Sequence, residues 1–249
     1  MEWRDEGIVL SVARHGEADA LLEVMTRSHG RARGFIKGGL GRRNKANLQA
    51  GNKLSLIWRS RIETNLGRFT VELLNSPLGL MLGDGARLSA LAAATAVVAS
   101  TLTERECHTS VYEGLQAVIA LMEHQEGSSA VWGAALSRLE LGILAELGYG
   151  LDLSECAATG SKDNLIYVSP KSGRAVSAEA GVPYKHKLLG LPAFLVQESE
   201  VPSEEEALVA LQLTGYFLDR NVWVVHGKGQ PAARERLFAS ILKVCNAGK

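Results

Sequence analysis

The sequence predicts an α+β protein, an N-terminal five-stranded β-barrel followed by a mainly α-helical domain. Three observations carry that expectation. Apolar residues recur at period two up to about residue 75 and at period 3.6 beyond it. Pro77-Leu78-Gly79 interrupts the pattern between the two regimes. Charge divides at the same place: residues 1–76 carry 13 basic and 8 acidic side chains (net +5), residues 77–249 carry 14 and 19 (net −5), and the whole chain is formally +0. The expected boundaries are therefore 1–79 and 80–249, with an insert at about 151–182.

In the first part, Ile8, Leu10 and Val12 alternate with Val9, Ser11 and Arg14, which predicts a strand over 7–14. The turn His15-Gly16-Glu17-Ala18-Asp19 leads to a second strand over 20–26, and Ser28-His29-Gly30 to a third over 31–37. Residues 53–62 predict a fourth, with Leu54, Leu56 and Trp58 on one face. Residues 63–67 turn the chain, and a fifth over 68–74 directs Phe69, Val71 and Leu73 inward. Five short strands in about 75 residues, with one long loop and no helix between them, fit a small closed barrel of the OB type, which buries one face of every strand and leaves no long open edge. An SH3-like barrel is the alternative.

In the second part, Asp84 suits the cap of a helix to about Leu102. Ser110 and Glu113 suit a capping box for a second helix with Val111, Leu115, Val118 and Met122 on one face. A third helix after Ser128-Ser129 carries Trp132, Leu136, Leu139, Ile143 and Leu147 and stops at Gly148. From 151 to 182 helical signals vanish, and Leu165-Ile166-Tyr167-Val168 predicts a short strand in a hairpin-like insert. Ser203 and Glu206 form a capping box for a helix to about Asp219, ending before the β-like Val222-Trp223-Val224-Val225. Pro231 suits the first turn of a last helix with Leu237, Ile241 and Val244 inward.

With 46% hydrophobic and 22% charged residues the composition is that of an ordinary globular protein. Cys107, Cys156 and Cys245 are odd in number and widely spaced, as suits reduced thiols in a cytosolic protein. The first residues lack the basic-then-apolar order of a secretion signal, and the weakly polar run 88–102 is too short to span a bilayer. A cytoplasmic location is expected.

The chemistry concentrates in residues 27–68, which hold eleven Arg or Lys against one acid, Glu63. Arg31, Arg33 and Lys37 alternate with Ala32, Gly34 and Ile36, and Arg59 and Arg61 with Trp58, Ser60 and Ile62, so two strands carry cations on one face. Between them Gly38-Gly39-Leu40-Gly41-Arg42-Arg43-Asn44-Lys45 reads as an irregular mobile loop carrying three more cations. Arg68 adds another at the start of the fifth strand. A basic face with a basic loop suits an irregular polyanion. Phe35 shares the phase of Arg31 and Arg33, which makes it a candidate to stack on a base; Trp58 and Phe69 fit the core first, with stacking as the alternative.

Catalysis is not indicated. The six histidines are dispersed, with no H-E-x-x-H pair, and the polar turn from His15 to Asp19 needs no catalytic explanation. Gly38-Gly39-Leu40-Gly41 lacks the Lys-Ser/Thr ending of a phosphate-binding loop, and His226-Gly227-Lys228-Gly229 lacks its first half. The composition leaves open a DNA-binding factor, a general OB-fold RNA-binding module, or a nucleic-acid-modifying enzyme.

A wider pattern narrows the choice. Trp3-x-Asp5-Glu6-Gly7-Ile8-Val9-Leu10, His15-Gly16-Glu17-x-Asp19, Thr26-x-x-x-Gly30, the Gly38-Gly39 loop, and Gly173-Arg174 after Tyr167-Val168-Ser169 together resemble the RecO family of bacterial DNA repair proteins along essentially the whole chain. The resemblance implies an N-terminal OB-fold, a helical C-terminal domain and a non-enzymatic recombination mediator in the nucleoid-bearing cytoplasm. Such a protein binds single- and double-stranded DNA, anneals complementary strands, acts with RecR, engages the C-terminal tail of the single-strand binding protein SSB and helps load RecA. This agrees with the basic barrel read from the residues themselves, where DNA contacts are expected among Arg31, Arg33, Phe35, Lys37, Arg42, Arg43, Lys45, Arg59, Arg61 and Arg68. Many relatives carry a zinc ribbon where this chain has Cys156, Thr159, Ser177 and Ala180. One thiol cannot supply the four ligands of a structural zinc, so the resemblance implies a degenerate, metal-free insert and no cofactor.

Overall fold

Alternating side chains build five strands, β1 (Glu2–His15), β2 (Asp19–Thr26), β3 (Arg31–Ile36), β4 (Lys53–Arg59) and β5 (Gly67–Asn75), in a computed structural model that describes residues 1–62, 66–124, 127–197 and 202–248, the Arg43 side chain excepted. The strands pair in the order β1-β2-β3-β5-β4, and because β4 also pairs with β1 the sheet closes as a barrel. Four of the five seams are antiparallel. The fifth, β3 with β5, is parallel and consists of two residue pairs, Gly34 with Gly67 and Phe35 with Arg68.

The inward positions are those the alternation selects. Val9, Leu22, Val24, Leu54 and Leu56 are fully buried, with Trp58 and Phe69 only 3% and 5% exposed, so both aromatics belong to the core. Each such side chain contributes about 1.5–3 kcal/mol by leaving water. Glycine at the parallel seam is what lets the rings in: a Cβ on Gly67 would stand 2.2 Å from the Trp58 indole, and one on Gly34 2.7 Å from the Phe69 ring.

Several local expectations are corrected. Ile8, Val9 and Leu10 are all buried rather than alternating, because β1 carries a bulge between Val9 and Ser11 and the helix over Gly85–Thr101 lies against it. Val12 (37%) and Leu73 (41%) are exposed; Leu73 keeps the inward phase of its pair Leu54 but sits at the strand's end, next to a register shift. The basic loop is not irregular throughout. After a turn over 38–41 it forms a short helix, α1 (Arg42–Asn47), whose residues, unlike the glycines before them, are compatible with helix. That turn is pinned: Gly38 N–H donates to Asp19 Oδ1 at 2.8 Å, and Asn44 Nδ2 donates to the Gly38 carbonyl at 3.0 Å. Of the turn expected at 63–67, residues 63–65 lie outside the described ones.

The chain divides into two compact units, Met1–Gln125 and Glu126–Lys249. The first therefore includes, besides the barrel, α2 (Leu78–Met81), α3 (Gly85–Thr101) and α4 (Thr109–His124). The Asp84 carboxylate caps α3 by accepting from Arg87 N–H at 2.9 Å. Ser110 does not cap the second helix as expected, since α4 already begins at Thr109 and Ser110 lies inside its first turn.

The second unit packs α5 (Ser129–Glu146) on α7 (Glu204–Leu218), with α8 (Ala232–Ala247) against both. Its insert holds a three-stranded sheet, ordered β7 (Ala175–Ser177), β6 (Leu165–Val168), β8 (Leu189–Gly190), followed after β7 by the single turn α6 (Ala178–Gly181). The capping box of Ser203 and Glu206 opens α7 as expected. Val222 to Val225 form no strand: α7 continues into a π-helical turn, Asp219–Trp223, that buries Val222 and Trp223 and leaves Val224 and Val225 exposed. Four apolar residues in a row do not distinguish the two structures by period. Val244, expected inward, is 48% exposed near the end of α8. No described helix is long and apolar enough to cross a membrane.

Candidate nucleic-acid interface

Register across the barrel collects charge in one row. Phe35 pairs with Arg68, Arg68 with Arg59, and Arg59 with Glu2, so neighbouring strands β3, β5, β4 and β1 contribute one polar or aromatic side chain each. Beside that row lies an open groove of about 950 Å3, to which Lys37, Arg59, Arg61 and Arg68 contribute. Lys37, Arg61 and Arg68 pair with no carboxylate among the described residues, and all three side chains are exposed. Arg59 is bound to Glu2, its Nε 2.7 Å from Oε2. That hydrogen bond holds the Glu2 carboxyl below its ordinary value and raises the Arg59 guanidinium, although both lie in water where such a pair is weak.

Other predicted residues are committed elsewhere. Arg31 is half-buried, ion-paired with Glu23, and donates from Nε to the Leu102 carbonyl at 3.0 Å. Arg33 reaches Glu104 at 2.7 Å, and the hydrogen bond to that carboxylate raises its guanidinium further. The face of β3 is thus basic by sequence and largely neutralised by its neighbours. Phe35 packs its ring on His15 at 4.3 Å, tilted 40°. Arg42 and Lys45 stand exposed on α1; Arg43 belongs to the same helix.

A second constellation was not foreseen. Trp3 stacks on His29 (centroids 4.2 Å, 9°) and on Trp58 (5.5 Å, 12°), while Arg105 lies 5.6 Å over Trp58. Asp5 fixes His29, with Oδ2 2.8 Å from Nδ1, and also accepts from Ser28 N–H at 2.8 Å. These residues are scattered from position 3 to 105, so no local spacing announces them.

In the insert, Cys156, Thr159, Ser177 and Ala180 stand at the positions of a zinc ribbon's ligands. Ser177 N–H donates to Cys156 Sγ at 3.3 Å, and Ser177 Oγ accepts from Ala180 N–H at 3.5 Å. Burial alone would push the Cys156 thiol up, but hydrogen bonds from the Ser177 and Thr159 side chains and from backbone N–H groups bring it from 9.0 to about 6. The turn is closed by hydrogen bonds onto one sulfur, and with a single thiol the set does not fit a tetrahedral zinc. Among the described residues no three His, Cys, Asp or Glu side chains are grouped as metal ligands.

Comparison with known proteins extends this picture along the whole chain. Residues 1–77 match the family described as Recombination protein O N terminal, and residues 82–224 match Recombination protein O C terminal. A protein of Rhodospirillum rubrum is 46% identical over 238 residues, covering 95% of this chain and 94% of its own. One of Methylobacterium nodulans is 45% identical over 244 residues (96% and 97%), and one of Brucella abortus 43% over 247 (99% and 98%). Each of the three is named DNA repair protein RecO.

Proposed function

The chain belongs to the RecO family, and from that premise we propose that it is a DNA-binding mediator of recombinational repair and not an enzyme. The observation that supports the DNA role most directly is the groove in which Lys37, Arg61 and Arg68 stand exposed beside Arg59. Exposed cations on a closed barrel suit a phosphate backbone, and the barrel serves as an OB-type platform. Arg42, Arg43 and Lys45 on α1, with Phe35 on β3, extend the surface available to DNA, whereas Arg31 and Arg33 are held by Glu23 and Glu104.

Residues 1–79 carry this nucleic-acid role and residues 80–249 carry protein partners, with the stretch at about 151–182 a zinc-ribbon-like insert that has lost its metal. The protein anneals complementary single strands, also holds duplex, acts with RecR, captures the acidic tail of SSB and so helps load RecA, in the cytoplasm at the nucleoid. Support for these partners is family membership.

The test is annealing of complementary oligonucleotides, bare and coated with SSB, at several salt concentrations. Acceleration that fades as salt rises is expected, because each phosphate contact releases counterions. No acceleration, or equal competition by RNA for the DNA site, would overturn the assignment.

A further inference from the structure

Beside the basic groove lies a smaller cavity of about 280 Å3, bounded by Trp3, Ser28, His29, Trp58 and Arg105. Groove and cavity share Met1 and Glu2, so they are adjacent. The cavity wall is a column of near-parallel rings: Trp58 is buried at the inner end, Trp3 stands between, and His29 keeps 38% of its side chain exposed at the outer end. The column is covered at its Trp58 end and open to solvent at its His29 end.

Two features hold the column ready. Asp5, its side chain 7% exposed, fixes the plane of His29 through Nδ1. Arg105 adopts φ +67°, a left-handed conformation rare for an arginine, with its guanidinium over Trp58. Residues held in such conformations collect at binding sites, where the surrounding structure maintains them. Around the rings stand the Glu2 carboxylate, Ser28 and the Arg105 guanidinium, which offer acceptors and donors at the cavity's rim. Flat faces with polar edges match a flat ring with polar edges, which is the chemistry of a nucleobase.

We infer that this cavity receives one unpaired nucleobase of a strand whose phosphates lie in the neighbouring groove. The inference rests on the DNA-binding role proposed above and adds to it a preference. A base in a duplex is already stacked and paired and would have to be extracted at a cost, whereas a base in a single strand enters freely. The cavity therefore favours single strands, and phosphate contacts alone do not.

The test uses the intact chain with a labelled oligothymidylate, an abasic strand of the same length, and a duplex, all at one salt concentration. Removing the bases leaves the phosphates in place. The base-bearing strand should bind at least about fivefold more tightly than the abasic one, the lower end of what one base stacked on an aromatic side chain provides. His29→Ala should erase that difference, and the preference for single strand over duplex should fall by the same factor. Equal binding of the two strands by the unaltered protein overturns the inference without any variant. So does a His29→Ala protein that keeps the full difference, since the base then sits elsewhere. Equal binding leaves the DNA role standing; failure of every strand to bind removes that role as well.

Discussion

Gly30 lies against the backbone of Glu106 so closely that a Cβ on the glycine would stand 1.8 Å from the Glu106 carbonyl oxygen. Gly30 also has φ +65°, so the position excludes other residues twice, by conformation and by space. At this crossing the segment after α3 runs alongside β3, with Arg105 N–H donating to the Arg31 carbonyl at 2.8 Å. Gly30→Ala should lose at least about 2 kcal/mol of stability. Urea unfolding checks this, and an unchanged midpoint would mean that the segment can shift aside.

Cations on the barrel should separate into two kinds. Arg61→Ala and Arg68→Ala should each lower the slope of log affinity against log salt by about 0.7 on a single strand, with stability unchanged. Arg31→Ala should do the opposite: it leaves the Leu102 carbonyl without the Arg31 donor and Glu23 with only the Ser11 hydroxyl, costs about 1–3 kcal/mol, and leaves the slope alone. Joint replacement of Arg42, Arg43 and Lys45 by Ala should keep α1, since alanine is the better helix former, and should reduce the slope by about 0.7 for each phosphate that is no longer neutralised. Titrations at four or five salt concentrations distinguish these outcomes.

The second unit contains a buried ion pair in which Arg234 donates to Glu140 at 2.6 and 2.9 Å, and Thr214 Oγ1 donates to the same carboxylate. Glu140→Gln removes the charge and leaves the guanidinium uncompensated, so a loss of about 3–5 kcal/mol is expected. A loss below about 1 kcal/mol, measured by denaturant unfolding, would show that water reaches Arg234.

Cys156 predicts both a pH dependence and a metal content. Its thiol lies at about 6 in the fold against 9.0 ordinarily, so between those values the unfolded chain binds the proton and the folded chain does not. Stability from this group is complete above pH 9, diminishes as pH falls, and is lost below about 6. The difference in urea midpoint between the unaltered protein and Cys156→Ala should widen from pH 6 to pH 9. Purified protein should hold no stoichiometric zinc, and a chelator should leave its melting temperature unchanged; about one equivalent of zinc would refute the ligand count.

The strands were legible because Leu54, Leu56 and Trp58 repeat at period two and their partners obey the same rule. Capping was legible at Ser203, where box and helix coincide, and illegible at Ser110, where the helix starts two residues too early for the motif. Val222 to Val225 misled because a short apolar run suits a strand and a buried helical turn alike. At the candidate site the sequence supplied the cations but not their partners: Glu104 and Arg33 are 71 residues apart, and only folding shows that one neutralises the other. The column of Trp3, His29 and Trp58 was hidden for the same reason.

Closure of the barrel by Gly34 with Gly67 and Phe35 with Arg68 alone has a mechanical consequence. Pulled apart, the sheet would part first between β3 and β5, where two residue pairs hold, and not at seams of six or more pairs. Lys37 follows one lip of that seam and Arg68 belongs to the other. The two cations therefore stand on opposite sides of the one seam that so few backbone pairs hold, and their spacing depends on the shortest ladder of the barrel.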